Sequence, residues 1–129
     1  MTITRHNPDT VAAPANLYSQ VVEVPPGARW LYLAGQVGTL PDGSMTQGFQ
    51  EQHRQTWRNV IAILNHRGMG VEDIVKVVVY ARNEEDVQYL REGRAEFVGD
   101  FHPASTWCVT GLAKSQWLVE MDVVAAKVD

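Results

Sequence analysis

Residues 73–81 read DIVKVVVYA and are the most strand-like segment of this 129-residue chain. β-Branched residues dominate the segment, and such residues favour the pleated surface of a sheet. Similar but weaker texture occurs before it, at residues 17–24 and 29–37, and after it, at residues 106–110 and 117–128. The sequence therefore predicts five strands.

Two helices are predicted between these strands. Ser44 with Gln47, or Thr46 nearby, can cap the free N–H groups of a first helix that runs to about Arg67. Gly68 then follows as a left-handed C-cap residue. The buried stripe of this helix recurs at helical spacing and consists of Phe49, Trp57, Val60, Ile61 and Leu64.

The second helix is expected to begin at Asn83, because a capping residue followed by three acids suits the positive end of a helix dipole. Pro103 prevents its continuation. The linker at residues 25–28, PPGA, suggests a hairpin between the first two strands. Residues 1–16 are polar and interrupted by prolines, so we expect an irregular arm there.

The resulting order is β-β-α-β-α-β-β, which predicts a single α+β domain over residues 1–129 with both helices on one face of the sheet. The other face should be polar in a monomer. However, residues 30–34 and residues 74–81 place apolar groups on both of their alternating sides. An apolar second face needs cover, from another subunit or from arms and loops, and the pattern favours oligomerisation.

The amino-acid composition limits the kinds of partner that the protein is expected to bind. The formal net charge is -4, with scattered Lys and Arg, so we expect neither nucleic acid nor a membrane as a main partner. Cys108 is the single cysteine, and no apolar signal segment precedes the first strand, so we expect a cytoplasmic protein. The four histidines lack metal-ligand spacing and are expected at the surface or at helix caps, and no phosphate or dinucleotide loop is present.

Several short segments together resemble the RidA/YjgF family. They are residues 14–20 (PANLYSQ), 33–37 (LAGQV), 70–76 (GVEDIVK), 103–104 (PA) and 118–121 (LVEM), in the family's order. The resemblance implies a chorismate-mutase-like α+β subunit that forms a homotrimer with a small-molecule site in each cleft between neighbours. It also implies, for some members, hydrolysis of enamines and imines to 2-oxo acids and ammonia, without cofactor or metal.

The resemblance identifies Glu120 as the family's acidic strand residue, which orients or deprotonates the attacking water. The alternative is an ordinary solvated glutamate. Gly35, before Gln36, marks a bulge or a close approach of a ligand to the strand. Tyr18 can stack on a ligand or donate a hydrogen bond across a subunit boundary, or it is a half-buried strand aromatic.

One position departs from the family pattern. Its deaminase members carry, directly after Pro-Ala, an arginine that binds the substrate carboxylate. Here Ser105, Thr106 and Trp107 follow Pro-Ala. The alignment could place Ala104, Ser105 or Thr106 at the arginine's position, and none of these three can replace a guanidinium. Ser105 and Thr106 could bind a neutral polar ligand, and Trp107 could wall a flatter pocket. Cys108 is interpreted as a buried small hydrophobe rather than a nucleophile.

Three functions remain open on this basis. The first is a RidA-like hydrolase, an enamine or imine deaminase with altered selectivity. The second is a trimer of the same fold that binds or senses a metabolite without catalysis. The third, endoribonuclease or translation inhibitor, is disfavoured by the acidic balance and by the lack of an arginine and aromatic patch.

Overall fold

The computed structural model describes residues 1–129 and has a four-stranded sheet at its centre, in the order β3-β6-β4-β5. β4 pairs in parallel with β5 and antiparallel with β6, and β3 pairs antiparallel with β6. The elements are β1 (Thr4–His6), β2 (Val21–Glu23), β3 (Arg29–Tyr32), α1 (Phe49–His66), β4 (Ile74–Ala81), α2 (Leu90–Val98), β5 (Ala104–Val109) and β6 (Val119–Lys127).

Both helices pack on one face of this sheet, which confirms the predicted α+β architecture. Trp57, Val60 and Leu64 of α1 are fully buried, as the helical stripe predicted. They share one core with Met121 of β6 and Leu90 of α2. Burial of each such side chain contributes about 1.5–3 kcal/mol relative to exposure. No helix of the chain is both long and apolar enough to cross a membrane.

The ends of α1 match the prediction only on the C-terminal side. α1 ends at His66, and Gly68 has the left-handed φ of 74° expected after it. The predicted capping box is wrong, because Gly48 precedes the helix and no side chain caps it. Ser44 is held instead in a turn, where its N–H and Oγ both donate to Asp42 Oδ1 at 2.9 and 2.6 Å.

The segment after β4 also differs from its prediction. Glu84–Tyr89 is a 3₁₀ helix rather than the first turns of an α-helix, and the Asn83 side chain caps nothing. The backbone closes this tighter turn, since the N–H of Asp86 donates to the carbonyl of Asn83 at 3.1 Å. α2 therefore begins later, at Leu90.

The predicted hairpin between the strands at residues 17–24 and 29–37 is wrong. β2 pairs with β1, so residues 1–16 are not wholly irregular, and the two strands form a small sheet of their own. β3 pairs with the far end of the long strand β6, where Arg29 lies opposite Lys127. An ion pair between Arg29 and Asp129, with Nε 2.8 Å from Oδ2, adds to this junction.

The face of the sheet away from the helices carries an exposed aromatic pair. Trp30 is 44% exposed and Tyr32 is 77% exposed, and their rings stack with centroids 6.3 Å apart. Val78 and Val124 are partly buried on the same face. Neither helix reaches this side, which carries these apolar groups together with the carboxylates of Glu120 and Asp122.

Candidate functional site

The carboxylate of Glu120 lies on the uncovered face of the sheet, beside Gly35. A β-carbon at residue 35 would be 2.2 Å from Glu120 Oε2 and 3.3 Å from Asp122 Oδ1. The group that closely approaches Gly35 is the Glu120 side chain, whereas the sequence predicted a bulge or the approach of a ligand. On the neighbouring strand β4, Tyr80 is the residue paired with Glu120.

The backbone on either side of Gly35 fixes this contact. Past the end of β3, the N–H of Gln36 donates to the carbonyl of Met121, and the N–H of Met121 donates back, both at 2.9 Å. Leu33 N–H donates to Val123 O at 3.1 Å. Pairing with β6 thus resumes beyond the glycine, while the Gln36 side chain turns back to the carbonyl of Ala34 at 3.1 Å.

Charge and burial shift the pKa values in this group. Partial burial, with the negative charge of Asp122 as a second cause, raises the pKa of Glu120 above its usual value. The Tyr80 hydroxyl donates to Asp122 Oδ2 at 3.2 Å, and desolvation with the Asp122 charge raises the pKa of Tyr80. Glu120 therefore exchanges a proton closer to neutral pH than an exposed glutamate does, which suits an acid or base.

These acids line a depression of about 290 Å³. Tyr80 and the loop at residues 110–113 form the rest of its wall. Cys108 pairs with Tyr80 across the β4–β5 ladder and is only partly buried, so the buried small hydrophobe expected there is not fully buried.

The other predicted binding residues gather at a second depression, of about 250 Å³, beside the edge strand β5. It is lined by Leu17, Tyr18, Arg94, Ser105, Thr106 and Trp107. Ser19 holds the Tyr18 segment in place, since its N–H donates to Pro103 O at 3.2 Å and its hydroxyl donates to His102 O.

The Ser105 and Thr106 hydroxyls of this second group already have partners. Ser105 Oγ donates to the carbonyl of Pro103 at 3.3 Å, and Lys76 Nζ donates to Thr106 Oγ1 at 3.0 Å. Trp107 packs against the core. The residues that follow Pro-Ala therefore shape the depression, and none of them supplies a free cation to it.

Within one subunit the two groups line separate depressions. Thr106 pairs with Val78 on β4, and Val78 pairs with Asp122 on β6, so two strand spacings, roughly 10 Å, separate the backbones at Thr106 and Asp122. The subunit brings Gly35 and Gln36 to Glu120. It does not bring Tyr18 to Glu120.

Sequence reasoning missed three ionisable residues of these depressions. Asp122 lies two residues from Glu120 and so shares its face, a signal present in the strand itself. Tyr80 could be placed only through the β4–β6 register, and Arg94 only through the position of α2. The expectation that every histidine is a surface or capping residue is wrong for His53, which is 2% exposed. No group of three or more metal-ligating side chains is placed to hold a metal ion.

The fold and these depressions define a small α+β domain of the class to which the sequence motifs pointed. The sequence profile of the family described as endoribonuclease L-PSP matches residues 9–127. The chain belongs to this family, which is the RidA/YjgF family of the resemblance.

Individual relatives agree with this assignment. The chain is 33% identical, over 88% of its length and 91% of the relative, to a RutC family protein of Aquifex aeolicus. It is 31% identical, over 79% of its length and 80% of the relative, to a 2-iminobutanoate/2-iminopropanoate deaminase of Dermatophagoides farinae. The crystal structure of YyfB, a Rid family protein of unknown function from Yersinia pestis, superposes with a TM-score of 0.86 at 26% identity, covering 97% of this chain and 98% of YyfB.

Proposed function

We propose that this protein hydrolyses small imines or enamines to carbonyl compounds and ammonia, in clefts between the subunits of a homotrimer. The observation that carries the proposal is the Glu120 carboxylate, held against Gly35 beside Asp122 with a raised pKa. The deaminase name of the Dermatophagoides farinae relative supports the reaction class.

Glu120 serves as the general base. Its carboxylate takes a proton from water as the water oxygen bonds to the imine carbon, which gives a carbinolamine. Glu120 delivers this proton to the nitrogen, which completes the neutral carbinolamine. The carboxylate then takes the hydroxyl proton and passes it to the same nitrogen as the carbon–nitrogen bond breaks, so that ammonia leaves and a carbonyl remains. Water is the only co-substrate in this balance, so the reaction requires no cofactor or metal.

Tyr18, Gly35, Gln36, Ser105, Thr106 and Trp107 form the proposed substrate site. Because Tyr18 and Glu120 line separate depressions within one subunit, a complete site requires a second copy. Packing of the uncovered sheet faces would bury the exposed Trp30 and Tyr32 and place the depression of one subunit beside that of the next. A homotrimer is the family's arrangement and accounts for both features. The cytoplasm stays the proposed location.

The direct test follows the breakdown of 2-iminobutanoate with purified protein. We expect acceleration by the wild type and a loss of about 100-fold or more in Glu120→Gln, because a positioned base contributes roughly 10²–10⁴-fold. Glu92→Gln is the matched control, since Glu92 is exposed on α2. An unchanged rate in Glu120→Gln would remove the base assignment.

A trimer that binds a metabolite without catalysis is the second candidate. It is favoured by the absence of an arginine directly after Pro-Ala, where the Ser105 hydroxyl is already bonded to the Pro103 carbonyl. No acceleration of imine breakdown at high protein concentration would support this function. The net charge of -4 disfavours RNA as substrate, although the family is named after an endoribonuclease.

A further inference from the structure

Arg94 is a buried cation without an adequate partner. It lies on α2 and is only 6% exposed. Its Nη1 is buried and has no hydrogen-bond partner, and its Nη2 makes a single long contact of 3.5 Å with the carbonyl of Pro103. None of the ion pairs in the structure includes it.

This arrangement is costly for the folded subunit. Burial without a compensating carboxylate lowers the pKa of Arg94 to about 10, so the guanidinium stays charged at neutral pH while losing solvation. A buried guanidinium is ordinarily paired and hydrogen-bonded, because its desolvation is otherwise unfavourable. The chain itself therefore supplies no negatively charged partner for Arg94, and such a partner has to come from outside it.

The position of Arg94 indicates where that partner binds. Arg94 lines the depression that holds Tyr18, Ser105 and Thr106, and it also borders the neighbouring depression that Arg91 lines. The carbonyl that it approaches belongs to Pro103, directly before the Ala-Ser-Thr segment of β5. The guanidinium thus approaches, from the helix side, the strand segment that directly follows Pro103.

We propose that Arg94 is the specificity-determining residue of the depression and binds the carboxylate of a small anionic ligand, in place of an arginine on β5. This inference rests on the proposed function, because it names the charge of the substrate at the same site. It assigns the ligand to the class of small 2-oxo or 2-imino carboxylates. The Ser105 and Thr106 side chains then form the wall around the anion and do not bind it.

Binding of an unreactive ligand tests the inference without any catalytic assay. Calorimetric titration compares 2-oxobutanoate with its neutral analogue 2-oxobutanamide. We expect the wild type to prefer the anion by about tenfold or more. Arg94→Met should raise the Kd of 2-oxobutanoate by about 10- to 100-fold, which is the loss expected when a charge-assisted hydrogen bond is removed. The Kd of the amide should stay unchanged.

Two further variants separate binding from structural support. Arg94→Lys keeps the charge without the planar fork and should recover part of the preference for the anion. Arg91→Met is the matched control on the same helix, because Arg91 is exposed and lines only a neighbouring depression. Replacing an unpaired buried charge should not lower the melting temperature, so Arg94→Met should melt no earlier than the wild type.

The outcomes distinguish this inference from the proposed function. Equal affinity for anion and amide in the wild type overturns it, as does an unchanged Kd in Arg94→Met. If Arg94→Met fails to fold, the wild-type preference and the Arg94→Lys titration still decide. Hydrolysis of neutral imines without preference for the anion would overturn the role of Arg94 alone. Carboxylate binding that depends on Arg94, without any hydrolysis, would overturn the proposed reaction alone.

Discussion

The carboxylate of Glu120 occupies the space that a side chain at Gly35 would need. A β-carbon on Gly35 would be 2.2 Å from Oε2 and 3.2 Å from Cδ of Glu120, far inside van der Waals contact. The glycine is therefore required for room and not for an unusual backbone angle, since its φ is not in the left-handed region. It determines where the proposed base points.

Gly35→Ala should thus impair function far more than folding. The added methyl group has to displace the flexible end of Glu120, so we expect imine hydrolysis to fall toward the level of Glu120→Gln. The free energy of unfolding should fall by less than about 1 kcal/mol, as only a side-chain end moves. Initial rates and denaturant unfolding of the same preparation measure both effects.

Gly38→Ala is the matched substitution for this comparison. A β-carbon there would lie 2.7 Å from Cα and 2.8 Å from O of Gln52, which are helix backbone atoms that cannot rotate away. We expect a loss of about 1–3 kcal/mol in the free energy of unfolding. The steric account of Gly35 fails if Gly35→Ala keeps the full rate, or if it destabilises as much as Gly38→Ala.

These two glycines show what the sequence could and could not predict. A glycine inside a strand pattern signals close approach, so the importance of Gly35 could be predicted locally. The contact of Gly35 with Glu120 could not be predicted locally, because the Gln36–Met121 pairing joins residues far apart in the chain. The same limit explains the wrong hairpin: local texture predicts strands, whereas the long β6 decides which strand pairs with it.

The candidate site shows the same division between local and tertiary information. Tyr18, Ser105 and Trp107 could be grouped through the family motifs, and the structure places them around one depression. Arg94 carries no local signal, because a polar residue on a short helix is ordinarily exposed. Its burial follows from the packing of α2 beneath the Pro103 segment, which only the tertiary fold supplies.

Asp122→Asn should shift the pH dependence of hydrolysis toward acid. The Asp122 charge contributes to the raised pKa of Glu120, so its removal lowers that pKa. A base must be deprotonated to act, so activity persists to lower pH when its pKa falls. The acidic limb of the kcat/KM profile measures the shift, and Asp9→Asn, at an exposed position, should leave it in place. A shift toward higher pH would contradict this coupling.

Tyr32→Glu should dissociate the proposed trimer. Tyr32 is 77% exposed in the subunit, so the substitution costs the monomer little, whereas a carboxylate buried between sheet faces is strongly unfavourable. Sedimentation velocity should show a trimer for the wild type and a monomer for the variant. Ala62→Glu, at an exposed position on α1, should remain trimeric. A folded wild-type monomer at micromolar concentration would exclude the assembly.

His53 should make the folded state sensitive to mild acid. The imidazole stacks on Phe49 with centroids 5.7 Å apart, and its Nε2 accepts a hydrogen bond from Trp57 Nε1 at 3.1 Å, which requires a neutral ring. Burial, followed by the positive charge of Arg54, lowers the pKa of His53 to about 4. The chain is folded around an uncharged histidine.

The sign of the pH dependence follows from this lowered pKa. The unfolded chain has a histidine pKa of about 6.5 and binds more protons than the folded chain between that value and about 4, so stability is lost as the pH falls through this window. The loss reaches about 3 kcal/mol for a shift of this size. His53→Gln, which keeps an acceptor for Trp57, should flatten the dependence measured by denaturant unfolding. His66→Gln replaces the exposed last residue of α1 and should retain the wild-type slope. Identical slopes in all three proteins would show that His53 does not cause the pH dependence.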